Sequence, residues 1–105
     1  MDSQMKKGMM EACILSVLSR GDSYGYQLIK DLEPIMGLSE STLYPVLRRL
    51  EAAGCLTVYS VEHNSRLRKY YAITDEGRKR IADFMDEWAE VRRVYDFIAE
   101  VNVGV

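Results

Sequence analysis

Two sets of side chains in this 105-residue chain have types and spacings that suit a definite chemistry. The first is Ser41, Thr42, Tyr44, Pro45, Arg48 and Arg49. Small hydroxyls, an aromatic ring and two guanidiniums on the wet side of one helix suit the edge of a DNA groove, with its phosphate oxygens and base acceptors. The second is Arg66, Arg68 and Lys69, three cations within four residues. They suit phosphate contacts, the alternative being a hairpin edge kept soluble by charge. Arg49 has a second option, a surface ion pair with Glu51 or Asp75.

Bond-breaking chemistry finds no support. His63 is the only histidine and has no ligand or nucleophile close in sequence, so it touches phosphate or is simply exposed. Cys13 and Cys55 lie far apart inside apolar patterns, with no C-x-x-C spacing. They read as two buried thiols in a reducing compartment rather than metal ligands. With no glycine-rich phosphate loop either, neither enzyme activity, metal nor cofactor is expected.

The elements that must carry these groups follow from periodicity. Leu43, Val46, Leu47 and Leu50 recur at i, i+3, i+4, i+7, one apolar stripe of a helix that ends at Gly54. Thr42, Tyr44, Pro45, Arg48 and Arg49 lie off the stripe. Ser39 or Ser41 caps this helix, and Pro45 favours its first turn, where a missing N–H matters least. Ahead of it, Met5 to Arg20 makes a first helix with a wide apolar face, stopped near Gly21. Asp22 or Ser23 caps a second helix from Tyr24 to about Glu33, with Tyr24, Leu28, Ile29 and Leu32 inward and Pro34 as terminator.

After Gly54, residues 56–61 and 67–73 alternate as strands joined by the loop Glu62-His63-Asn64-Ser65-Arg66. A lone hairpin is marginal in water, so this one must pack on the helices, with one of Tyr70 and Tyr71 turned inward. Thr74 then caps a long last helix, with Asp75 and Glu76 in its favourable first turn.

On that helix Ile81, Phe84, Trp88, Val91, Tyr95 and Ile98 are spaced 3, 4, 3, 4, 3, an a/d seam over nearly three heptads. Val94, Phe97 and Val101 widen it. One small domain cannot easily cover so long a stripe, and a partner helix from a second copy is the economical cover. Two readings stand for Trp88. It is an aromatic core residue of the helix pair, or it meets its own copy near a two-fold axis and brackets a flat apolar compound, with Met5, Met9 and Met85 as adaptable walls.

The formal net charge is −2, yet it is segregated along the chain. Residues 41–80 hold eight basic against four acidic side chains, and residues 81–105 hold two against six. Association with a polyanion depends on the local face. No apolar run approaches the ~18 residues of a membrane span, and a cytoplasmic protein without membrane contact is expected.

Three blocks carry a resemblance: Tyr24-Gly25-Tyr26-Gln27-Leu28-Ile29-Lys30, Thr42-Leu43-Tyr44-Pro45-Val46-Leu47-Arg48-Arg49-Leu50-Glu51, and Arg68-Lys69-Tyr70-Tyr71-Ala72-Ile73-Thr74-Asp75-Glu76-Gly77. In this order and spacing the chain resembles the PadR family of bacterial transcriptional regulators, in the short branch with a single C-terminal helix. The resemblance implies a recognition helix that uses Ser41, Thr42, Tyr44 and Arg48. It also implies, less specifically, that planar hydrophobic compounds bind near a tryptophan in the position of Trp88.

The expected architecture is mainly α with a small β-hairpin: a winged helix-turn-helix over residues 1–74, then a dimerisation helix over 75–105, together one compact domain. The expected function is a homodimeric repressor on double-stranded DNA with an inverted-repeat operator, released by a small aromatic inducer. The rival is a winged helix used for protein assembly, with no operator.

Overall fold

The computed structural model describes residues 2–104. Its elements run α1 (Ser3–Leu18), α2 (Gly25–Leu32), α3 (Glu40–Ala52), β1 (Leu56–His63), β2 (Arg66–Ile73) and α4 (Asp75–Val103). Three helices followed by an antiparallel hairpin make a winged helix-turn-helix, and α4 extends from it.

The apolar stripe of α3 is the centre of the core. Leu43, Val46, Leu47 and Leu50 are all buried, against Ile14, Leu15 and Leu18 of α1 and Leu28 and Leu32 of α2. Burying such side chains is worth about 1.5–3 kcal/mol each, which is why this stripe rather than helix propensity holds α3 in place.

Several boundaries depart from the sequence reading. The first helix begins and ends two residues earlier, with Asp2 as its cap. Neither Asp22 nor Ser23 caps α2; the cap position is Tyr24, with no side-chain bond. Both are taken by longer-range partners. The Ser23 backbone exchanges N–H···O bonds of 3.2 and 2.7 Å with Tyr71, a one-residue third rung that fastens the hairpin to the helices. Asp22 accepts from the Tyr59 hydroxyl. Helix α3 starts at Glu40, so Pro45 lies in its second turn, and the bond that residue 45 would give to the Ser41 carbonyl cannot form.

The hairpin pairs Leu56 with Ile73 through to His63 with Arg66. Its loop is therefore only Asn64-Ser65, shorter than the five-residue loop expected. Both residues have positive φ, 50° and 63°. A two-residue turn of that hand matches the right-handed twist of the strands. Tyr71 is the inward tyrosine, 6% exposed.

Thr74 caps α4 as expected. Its hydroxyl accepts from the Gly77 N–H (3.1 Å) and donates to the Gly54 carbonyl (2.6 Å), tying the end of α3 to the start of α4. Helix α4 packs on α1 and then runs on, giving the molecule a long dimension of 59 Å against 25 and 24 Å across.

Candidate nucleic-acid interface

The start of α3 gathers three hydroxyls. Ser39 Oγ accepts from the Thr42 N–H (3.3 Å) and lies 3.0 Å from Ser41 Oγ and 3.1 Å from Thr42 Oγ1. Ser39 is thus the cap, and Ser41, hydrogen-bonded to it, lies on the outer face with Pro45 and Arg48, all exposed. Tyr44 differs from them. It is half-buried against the core, and its phenol end rests on Gly25, where a β-carbon would collide with it.

The wing is held by a chain of rings. The Tyr59 hydroxyl donates to Asp22 Oδ2 at 2.6 Å. The Tyr59 ring stacks on Tyr70 (5.6 Å, 15°), and Tyr70 meets Tyr24 edge-on (5.4 Å). Arg68 completes the chain, its guanidinium carbon 4.1 Å from the Tyr24 ring centroid. A cation over a ring face is attracted by the ring quadrupole, so Arg68 is already oriented. The hydrogen bond to Asp22 raises the Tyr59 phenol above its ordinary value. Burial, reinforced by the Tyr44 and Glu51 fields and opposed by Arg48, raises Tyr71.

Between wing and helices lies a cleft of about 370 Å³, lined by Tyr24, Gly25, Tyr26, Tyr44, Arg68, Lys69 and Tyr71. A second, of about 450 Å³, runs along the wing tip beside His63, Asn64, Arg66, Leu67 and Arg68. The fold thus joins Tyr44, Arg68 and Lys69 around one opening, with Arg66 at the next and Arg68 in both. Ser41, Thr42, Pro45 and Arg48 line neither and form a separate row on α3. Arg49 pairs with neither Glu51 nor Asp75; it turns to Glu11 of α1 (3.6 Å).

Sequence reasoning missed Tyr24 as a seat for Arg68, Gly25 as a seat for Tyr44, and Leu67. Leu67 is 76% exposed at the wing tip, an apolar residue inside an otherwise basic run, which was its only signal.

The α4 seam is divided. Ile81, Phe84 and Trp88 are half-buried, Ile81 against the core and the Phe84 and Trp88 rings 5.9 Å apart. Val91, Tyr95 and Ile98 are exposed, and so are Val94, Phe97 and Val101. On α1, Met9 is half-buried and Met5 exposed; Met85 is exposed on α4. Cys55 is fully buried and Cys13 half-buried, and burial raises both thiols above their ordinary value. No described helix is long and apolar enough to cross a membrane.

Known proteins share this geometry. The chain is 41% identical to a Streptococcus mutans UA159 protein of known crystal structure, with a TM-score of 0.80 over 90% of this chain and 89% of that one. It is 33% identical to a PadR family transcriptional regulator from Eggerthella lenta, with a TM-score of 0.80 over 94% and 88%. A Lysinibacillus sphaericus relative called Uncharacterized protein X is 30% identical over 93% of this chain and 94% of its own length. The model of the "Transcriptional regulator PadR-like family" matches residues 14–83, from the first helix into the start of the last. With the winged helix and basic wing in place around that match, the chain belongs to the PadR-like family of transcriptional regulators, DNA-binding proteins rather than enzymes.

Proposed function

We propose that the protein is a homodimeric repressor that binds an inverted-repeat operator in the cytoplasm. The observation that carries this reading is the convergence of Tyr44 from α3 with Arg68 and Lys69 from the wing around one cleft. In this reading the outer row Ser41, Thr42, Pro45 and Arg48, with Tyr44, faces the major groove. Arg66, Arg68 and Lys69 follow the adjacent backbone, whose phosphates they neutralise. In this reading the α4 seam pairs with the same seam of a second copy through Ile81, Phe84, Trp88, Val91, Tyr95 and Ile98, of which the last three are exposed in the single chain. The two recognition helices then stand about 34–36 Å apart, one turn of DNA.

A planar apolar inducer would enter where the two Trp88 side chains approach, with Met5 and Met9 beside them. It would act by binding one arrangement of the α4 pair better than the other. The Phe84–Trp88 ring pair and the exposed Met85 favour this reading. Titration with flat aromatic compounds should quench the single tryptophan, and Trp88→Ala should lose that response while keeping the dimer. Unchanged emission, with Trp88→Ala dissociating the protein, makes Trp88 a core residue.

Selection from random DNA followed by salt titration tests the whole. The expected result is a palindromic site with affinity falling steeply in salt. Arg48→Ala should lose base discrimination worth about 1–3 kcal/mol, and Arg66→Ala should weaken operator and random DNA alike. Binding without salt dependence or sequence preference would instead favour a protein-assembly module.

A further inference from the structure

Glu11 of α1 stands between two arginines of different helices. Arg49 Nε of α3 lies 3.6 Å from its Oε2, and Arg80 Nη1 of α4 lies 3.4 Å from its Oε1. The carboxylate is nearly enclosed, 13% exposed. Strong guanidinium–carboxylate bonds measure about 2.7–2.9 Å, so neither arginine has taken Glu11 for itself. Arg49 is left short: its Nε and Nη2 are shut from solvent with no hydrogen-bond partner among the described residues. One carboxylate is thus held between two guanidiniums, one at each oxygen and neither at close range, and unmet buried donors are costly.

The neighbours of the two arginines give this sharing its consequence. Arg49 directly follows Arg48 on the outer face of α3, and Arg80 directly precedes Ile81, the first residue of the α4 seam. We propose that Glu11 is a positioning residue which couples α4 to α3: any rotation of α4 that withdraws Arg80 lets the carboxylate close on Arg49 and re-aims α3. The coupling rests on the DNA-binding reading only for its output; the hand-over of the carboxylate is a property of the free protein.

The Nε–Hε resonance of Arg49 in the full chain tests the hand-over without DNA. In Arg80→Gln it should move downfield and exchange more slowly than in wild type, as Glu11 closes on it. In Glu11→Gln it should move upfield, and adding Arg80→Gln should change nothing further. An Arg49 signal indifferent to Arg80, or shifted equally by Arg80→Gln with and without Glu11, overturns the coupling. For the output, Glu11→Gln should lower the ratio of operator to random-DNA affinity about tenfold while fold and dimer persist. A wild-type ratio in Glu11→Gln overturns the positioning role. Absence of any operator for the wild type would sink the DNA reading alone, with the resonance still deciding the hand-over.

Discussion

The phenol end of Tyr44 occupies the space that a β-carbon on Gly25 would need. Tyr44 of α3 can therefore seat its ring on the first turn of α2 because residue 25 has no side chain. Two effects oppose each other in Gly25→Ala. Helix propensity favours alanine by about 1 kcal/mol at most, whereas overpacking costs about 1–3 kcal/mol. The collision should win: Gly25→Ala should lower stability in urea unfolding and weaken DNA binding, because Tyr44 is pushed out. Gly8→Ala, with open space around residue 8, should stabilise α1 by about 0.5–1 kcal/mol. Equal effects of the two substitutions would remove the argument.

The ring chain from Asp22 to Arg68 should govern the wing. Tyr24→Leu keeps apolar bulk but removes the ring face under Arg68. The attraction lost is about 0.5–1 kcal/mol, so affinity for any DNA should fall about two- to fivefold. Anisotropy titrations on operator and random duplexes, with Arg68→Ala as the larger effect in the same direction, check this. Loss confined to the operator would assign Tyr24 to base recognition instead.

The distal seam of α4 should hold the dimer. Val91, Tyr95 and Phe97 are exposed by 49, 66 and 66%, a large apolar patch for an isolated chain. Sedimentation should find wild type dimeric at micromolar concentration, and Val91→Glu with Tyr95→Glu monomeric or insoluble. A stable, folded wild-type monomer refutes the arrangement.

Alkaline pH should destabilise the fold. Cys13, Cys55 and Tyr71 are raised chiefly by burial, and Tyr59 chiefly by its bond to Asp22. The folded protein therefore keeps these protons at a pH where the unfolded chain has begun to release them. Stability is fully present below the ordinary thiol value of 9.0 and falls as pH climbs through the thiol and phenol range. Urea midpoints at pH 8 and above pH 10 should show the decline. Cys13→Ala with Cys55→Ala should make it shallower, and a flat profile would contradict the burial argument.

What the chain discloses by itself is whatever a single element imposes on its own residues. The stripe Leu43, Val46, Leu47, Leu50 has the helix period, and all four are buried. Thr74 ahead of Asp75 and Glu76 is a cap that forms as read, and the alternation of the hairpin requires one of Tyr70 and Tyr71 to turn inward, the packing on the helices selecting Tyr71. These depend on backbone geometry repeated over a few residues, so spacing is enough. Tertiary structure decided every contest between a local partner and a distant one. Asp22 has a helix start beside it and binds Tyr59, 37 residues away. Arg49 has Glu51 two residues on and turns to Glu11 of α1. Arg80 reaches the same carboxylate across 69 residues, and Arg68 finds the Tyr24 ring across the wing. A short polar side chain or a guanidinium has several acceptable partners of similar strength. Which one it takes depends on how the helices and hairpin stack, because burial removes water as the competing partner and so favours contacts inside the packed layers.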